Sequence, residues 1–201
     1  MGVGGRDARQ YDGDVLAPFA KALADSAPRK LIVVHLLGTH MSYRYRYPED
    51  YEKFTDHQGA PEWVTDDQLP TYNSYDNAVL YNDFVVSSLI KQYSATTPNG
   101  FLLYLSDHGE SLGENNIYLH GLPYSIAPDV QKHVPWITWL SPAMQARTHL
   151  TTGCLQQDLG ERRITHDHYF HSVLGLMDVK TEAYNTELDM FAACRKPAAA
   201  G

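Results

Sequence analysis

The stretch FLLYLSDHGESLGENNIYLH, residues 101–120, places ionisable side chains directly after a short apolar run. Phe101–Leu105 is apolar at every position and follows the turn residues Pro98–Gly100. A continuous apolar run of this length is typical of a buried strand in a parallel sheet. In open α/β sheets, ligands bind beyond the carboxyl ends of the strands. The stretch therefore predicts a functional site at Ser106–Glu110.

Histidine and aspartate side chains follow the ends of two predicted strands. Asp107 and His108 come directly after the first, and His120 follows on a glycine-containing loop. A second β-branched run, Leu31–Leu37, is followed by His40. Because the carboxyl ends of parallel strands meet at one edge of a sheet, we expect these residues to converge. One aspartate and three histidines suit zinc, which takes nitrogen and oxygen ligands.

Apolar periodicity predicts the remaining elements of an α/β chain. We predict a third strand at Trp136–Leu140, and a loop with one short helix at Ser141–Gly160. The predicted helix at 71–93 is the crossover that leads right-handedly into the Phe101 strand. Helical spacing predicts three helices, Asp14–Ala27, Thr71–Tyr93 and Thr165–Met177, the last capped by Thr165.

The other histidines fit structural roles better than a metal site. His35 lies inside the second predicted strand, where a hydrogen-bonded core position is expected. His166, His168 and His171 fall in the last predicted helix without an acid or cysteine to complete a ligand set. We interpret these three as structural or surface residues.

The charge of the chain argues against one class of protein. The 201 residues carry a net charge of −8 and a sequence pI near 5.6, which argues against a general nucleic-acid binder. The interleaved tyrosines and arginines at 41–54 are interpreted as a packed loop that could also hold an anionic head group.

Cys154 and Cys194 are either free thiols or one disulfide, and a disulfide requires an oxidising compartment.

The sequence offers no recognisable nucleophile turn. The pattern Gly-x-Ser-x-Gly is absent, and no serine or threonine sits in an equivalent position. Thr39, at a strand end beside His40, is interpreted as a hydrogen-bonding residue that supports the site.

Three segments together resemble a known family. They are SDHGESLGEN at 106–115, YLHGLP at 118–123 and VHLLGTH at 34–40. These strings are similar to those of the lipid A and lipopolysaccharide-core phosphoethanolamine transferases, members of the alkaline phosphatase/sulfatase superfamily. The resemblance extends over nearly the whole chain from about Tyr11 onward.

The resemblance implies a fold, a cofactor and a site. The fold would be the C-terminal part of a sulfatase-like α/β/α sandwich with a mainly parallel sheet. Asp107 and His108 would bind the catalytic zinc, while His40 and His120 would bind the substrate phosphate or a second zinc. The donor would be phosphatidylethanolamine and the acceptor lipid A or a core sugar.

The resemblance also implies a cellular setting. We expect the periplasmic face of the bacterial inner membrane, attachment through an N-terminal domain outside this chain, and a disulfide between Cys154 and Cys194. The family's nucleophilic threonine and glutamate zinc ligand are expected on segments preceding this chain. Residues 1–10 would be an irregular lead-in, 11–196 part of the catalytic domain and 197–201 a tail.

Two alternatives stay open at this point. The chain could be a catalytically inert fragment that still binds zinc, because no nucleophile is recognised in it. It could also be a hydrolase of the same superfamily, a sulfatase or a phosphodiesterase.

Overall fold

The computed structural model describes residues 11–195, so the expected lead-in and tail lie outside the described residues. The described chain forms two compact units, one of residues 11–96 and 104–136 and the other of residues 97–103 and 137–195. The helices are α1 (Leu16–Leu23), α2 (Leu69–Thr96), α3 (Pro142–Thr148), α4 (Thr152–Glu161) and α5 (Asp167–Leu176). The strands are β1 (Phe101–Leu105), β2 (Ser111–Leu112), β3 (Tyr118–Leu119) and β4 (Trp136–Leu140).

The long helix α2 supplies much of the core of the first unit. The predicted helix at 71–93 is confirmed, and α2 extends a little beyond it at both ends. Its buried apolar residues recur at helical spacing, which places them on one face of the helix. They are Ala78, Tyr81, Val85, Val86 and Leu89.

The first predicted helix is shorter than expected. A 3₁₀ turn at Asp12–Val15 leads into α1, which ends at Leu23. The Lys30 ammonium donates to the carbonyl oxygens of Leu23 at 2.6 Å and Asp25 at 2.8 Å. A cation that binds the last carbonyls of a helix stabilises its C-terminus, so Lys30 stabilises the end of α1 at this position.

The predicted strand at 31–37 is wrong. This segment has no regular secondary structure, and its side chains alternate between half-buried and exposed positions. Leu31 and Val33 are 59% and 81% exposed, and His35 is exposed as well, which corrects its expected core position. An apolar run becomes a strand only where another strand supplies ladder hydrogen bonds. Within residues 11–195, the four strands pair only with one another.

Strands β1 and β4 pair in a two-stranded sheet, which confirms both predicted strands. The 141–160 region forms two helices rather than a loop with one. The Ser141 hydroxyl accepts from the Met144 amide at 3.1 Å and caps α3. The Thr151 hydroxyl accepts from the Cys154 amide at 3.2 Å and caps α4. Each cap satisfies an amide that the first helical turn leaves unpaired.

Helix α5 begins later than predicted. Its N-cap is His166, which makes no side-chain capping bond, so the expected cap at Thr165 is wrong. The imidazole Nδ1 of buried His168 accepts from the Thr165 amide at 3.1 Å. His171 Nδ1 accepts from the Asn185 amide at 3.1 Å, so both histidines have structural partners.

Candidate metal centre

A short hairpin brings the two halves of the site together. Strands β2 and β3 are antiparallel, with Ser111 opposite Leu119. Glu110 directly precedes the first of these residues, and His120 directly follows the second. The two side chains therefore lie at the same end of the hairpin, although they are ten residues apart in sequence.

Gly109 fixes the loop between β1 and the hairpin. Its amide donates to the Gln131 carbonyl at 3.0 Å, and a Cβ at this position would lie only 2.0 Å from the Val130 carbonyl oxygen. The Gln131 side chain donates to the Ser111 hydroxyl at 2.9 Å. Gln131 therefore holds the loop on both sides of Glu110, through its carbonyl and its side chain, and only glycine at 109 permits the close backbone approach.

His108, Glu110 and His120 form a group that could hold a metal ion. Each offers one ligand atom, and these atoms all lie within 4.8 Å of one another. The two imidazole rings stack with centroids 3.7 Å apart and an interplanar angle of 29°. Imidazole nitrogens with a carboxylate oxygen are the donor set of many zinc sites, so these residues fit zinc.

The hydrogen bonds of both histidines define their tautomers. His108 Nδ1 lies 2.9 Å from the Gly109 carbonyl oxygen, and His120 Nδ1 contacts Glu110 Oε1. A carbonyl and an ionised carboxylate can only accept, so each Nδ1 must carry the hydrogen. In its neutral form each ring then has its lone pair on Nε2, the form in which imidazole binds metals.

Glu110 is held by a buried tyrosine. The Tyr43 hydroxyl donates to Glu110 Oε2 at 2.6 Å, and the two residues are only 5% and 8% exposed. Burial raises the pKa of Tyr43 above its ordinary value, and the hydrogen bond to the Glu110 carboxylate raises it further. The hydroxyl therefore remains a donor at neutral pH.

Asp107 lies beside the group rather than inside it. Its side chain is 90% exposed, and Oδ2 lies 3.8 Å from His108 Nε2. Two ligand atoms at ~2.0–2.1 Å from a tetrahedral zinc ion are about 3.3 Å apart. The separation of these two atoms is therefore close to that of a ligand pair on one ion.

His40 is also outside the three-residue group, and the backbone around it is anchored. The carbonyl of His40 accepts from the Nε of buried Arg46 at 3.0 Å. The Asp12 carboxylate accepts from the amides of Leu37 at 3.0 Å and Gly38 at 2.6 Å. These contacts shape the turn before His40, although no strand precedes it from residue 11 onward.

Sequence reasoning missed two residues of the site. Glu110 was inside the predicted Ser106–Glu110 cluster, and its position two residues after His108 was the signal available. Tyr43 is one of several tyrosines in the 43–51 segment, and nothing in the sequence distinguishes it. The Thr39 side chain opposes the rise in the pKa of Tyr75 that burial causes, so it lies beside that hydroxyl.

The second unit contains the disulfide. Cys154 and Cys194 are joined, with their Cα atoms 5.8 Å apart and a sequence separation of 40. None of the helices between residues 11 and 195 combines the length and apolar character that crossing a bilayer needs.

The metal group follows the end of strand β1 in a chain of helices and strands, and a known protein family matches this chain. The Sulfatase family profile matches residues 3–179. The chain therefore belongs to the Sulfatase family, and the predicted sulfatase-like fold is confirmed.

Individual relatives are phosphoethanolamine transferases. EptA of Salmonella typhimurium is 44% identical over 170 residues, which cover 83% of this chain and 31% of that protein. EptC of Escherichia coli O18:K1:H7 is 49% identical over 150 residues, covering 72% of this chain and 25% of that protein. The chain spans less than a third of the length of these relatives. The resemblance to this family seen in the sequence is confirmed.

Solved structures agree with these relatives. The C-terminal periplasmic domain of E. coli EptC in complex with Zn superposes with a TM-score of 0.83 at 37% identity, covering 98% of this chain and 54% of that one. The soluble domain of lipooligosaccharide phosphoethanolamine transferase A from Neisseria meningitidis superposes with a TM-score of 0.81 at 37% identity, covering 93% and 57%.

Proposed function

We propose that this chain is the zinc- and phosphate-binding part of a phosphoethanolamine transferase that modifies lipid A or the lipopolysaccharide core. The observation that carries the proposal is the group of His108, Glu110 and His120 on one loop and hairpin. It lies in a chain similar to transferases of this kind, one of them solved with zinc. A general nucleic-acid substrate does not suit the acidic chain.

Zinc is the metal we propose for the site. Asp107 and His108 are the proposed zinc ligands, supported by the 3.8 Å between their facing atoms. His40 and His120 are the proposed partners of the substrate phosphate or of a second zinc ion. A bound zinc ion would polarise a phosphoryl oxygen and stabilise negative charge on it.

The chain's own residues would position the phosphate rather than attack it. His120, with hydrogen on Nδ1, presents the lone pair of Nε2, and protonation of this nitrogen would make it a donor to a phosphate oxygen. We assign the nucleophile to no residue of this chain. The Thr39 side chain lies beside the Tyr75 hydroxyl, which supports a structural role for it.

The proposed substrates and location follow from the similar proteins. The donor is phosphatidylethanolamine and the acceptor is lipid A or a core sugar. The proposed location is the periplasmic face of the inner membrane, in association with a membrane domain outside this chain. The disulfide between Cys154 and Cys194 supports an oxidising compartment. Residues 11–196 are proposed to be part of one catalytic domain.

Calorimetry with small ligands tests the proposal. O-phosphoethanolamine and inorganic sulfate are titrated separately into zinc-loaded wild type, His120→Ala and the control His133→Ala, which removes an exposed histidine. We expect O-phosphoethanolamine to bind wild type and the control, and binding to His120→Ala to be at least about tenfold weaker. Preference for sulfate would favour the sulfatase alternative. Binding of neither ligand would favour the inert fragment.

A further inference from the structure

We propose that Tyr43 is a positioning residue of the metal centre, which holds Glu110 so that Glu110 fixes the orientation and tautomer of His120. The metal itself would then face Nε2 of His120, and Glu110 would support the ligand instead of binding the ion. The inference deepens the proposed function and rests on its second assignment for His120, a zinc ion rather than the substrate phosphate.

Both oxygens of the Glu110 carboxylate already have partners. Oε1 contacts Nδ1 of His120, and Oε2 accepts from the Tyr43 hydroxyl at 2.6 Å. A carboxylate that accepts from the far nitrogen of a metal-binding histidine is a common arrangement in zinc proteins. It fixes the ring, makes it a better ligand and leaves Nε2 free.

The position of Tyr43 is itself well determined. It lies in the 3₁₀ turn Tyr43–Tyr45, and its ring packs edge-on against Tyr75 with centroids 5.2 Å apart at 85°. Its side chain is buried, so the hydroxyl has few orientations open to it. The ring packing therefore aims the hydroxyl at Glu110.

Tyr43 also connects the two segments that carry the predicted site residues. It follows His40 by three residues in sequence, and it bonds to a residue 67 positions further along the chain. The backbone at His40 is anchored as well, because Arg46 donates to the His40 carbonyl. A single buried hydroxyl thus ties the His40 segment to the loop and hairpin that carry His108 and His120.

Two other roles would leave different signatures. If Tyr43 only filled space, losing its hydroxyl would change stability but not the His120 ring. If Glu110 bound the metal directly, replacing its carboxylate with an amide would abolish zinc binding, because a neutral amide is a weak zinc ligand. The amide oxygen of glutamine can still accept from His120 Nδ1.

The first test compares Tyr43→Phe with wild type and with the control Tyr45→Phe, which removes a hydroxyl from the same turn. The tautomer of His120 is read in zinc-free protein by nitrogen–proton multiple-bond NMR, and zinc affinity is measured by calorimetry. We expect the Nδ1–H tautomer in wild type and the control. In Tyr43→Phe we expect a mixture of tautomers and zinc affinity reduced about tenfold. An unchanged tautomer and unchanged affinity would overturn the proposal.

The second test uses Glu110→Gln and Glu110→Ala, with circular dichroism as the check of folding. We expect the glutamine variant to bind zinc within about tenfold of wild type and the alanine variant to bind about 10–100-fold more weakly. Equal and complete loss in both variants would identify Glu110 as a direct ligand and overturn the proposal. These readouts need no phosphate ligand. If the protein does not bind O-phosphoethanolamine but Tyr43→Phe changes the His120 tautomer and the zinc affinity as expected, only the proposed function is contradicted.

Discussion

Asn77 and Phe54 exchange two hydrogen bonds. The Phe54 amide donates to Asn77 Oδ1 at 2.9 Å, and Asn77 Nδ2 donates to the Phe54 carbonyl at 2.9 Å. Oδ1 also accepts from the Lys53 amide at 2.7 Å. The buried side chain on α2 therefore satisfies the backbone of the 53–54 segment as a neighbouring strand would.

Asn77→Ala should destabilise the protein strongly. Each lost hydrogen bond is worth about 1 kcal/mol, and the part-buried backbone groups are left unsatisfied. We expect the free energy of unfolding in urea to fall by about 2–4 kcal/mol. The control is Asn99→Ala in an exposed turn, which should change it by less than about 0.5 kcal/mol. Equal effects of the two variants would contradict this role of Asn77.

Gly109→Ala should damage both stability and the metal centre. The new methyl group would lie 2.0 Å from the Val130 carbonyl oxygen, so the loop must move. We expect a loss of about 1–3 kcal/mol in the free energy of unfolding and weaker zinc binding. Gly153→Ala is the matched control, because nothing lies within 4 Å of its added Cβ and it sits in helix α4. That variant should be neutral or slightly stabilising, and a similar loss in both would contradict the account.

Asp189→Asn should be the most destabilising charge substitution in the second unit. Asp189 is fully buried, and it accepts from the Arg195 guanidinium and from the Tyr184 hydroxyl at 2.7 Å. Removing one partner of a buried ion pair costs about 3–5 kcal/mol. The control Asp158→Asn breaks a more accessible pair with Arg162 and should cost at most about 1 kcal/mol. Thermal denaturation of both variants measures the difference.

Asp76 should make stability depend on pH. Burial raises the pKa of Asp76 above its ordinary value. The folded protein then binds this proton more tightly than the unfolded chain does. The contribution of Asp76 to the free energy of unfolding is fully present below the ordinary pKa. It is lost as the pH rises through the pKa that Asp76 has in the folded protein.

Asp76→Asn should remove this dependence. Relative to wild type, the variant should gain stability as pH rises from about 3 to about 7. Asp83→Asn on the same helix is the control for loss of one negative charge, since Asp83 is exposed. Urea denaturation at several pH values measures both. A stability difference that does not grow with pH would contradict this role of burial.

Elements defined by their own periodicity were predictable from the sequence. Helix α2 shows apolar residues at helical spacing, and β1 and β4 are short apolar runs bounded by turns. The 31–37 run has the same composition as a strand, but strand formation depends on a partner that local sequence does not reveal. The 141–160 region forms two helices where one was expected, because α4 is mostly polar and shows no apolar periodicity.

The site was predictable only in part, for a related reason. His108 and His120 stood out because histidines at strand ends suggest ligands, and the structure brings them together. The roles of Glu110 and Tyr43 depend on the register of a two-residue hairpin and on one long-range hydrogen bond. Neither the register nor the hydrogen bond can be recognised from the residues that neighbour Glu110 or Tyr43 in the sequence.

Zinc titration of the His108 site tests the central claim most directly. Isothermal calorimetry is performed on wild type, His108→Ala, Asp107→Ala and the control His133→Ala, since several other histidines could bind zinc weakly. We predict one tight site in wild type and the control, a clear loss of affinity in Asp107→Ala, and a loss of more than about 100-fold in His108→Ala. Equal zinc binding by wild type and His108→Ala would contradict a metal centre at this position.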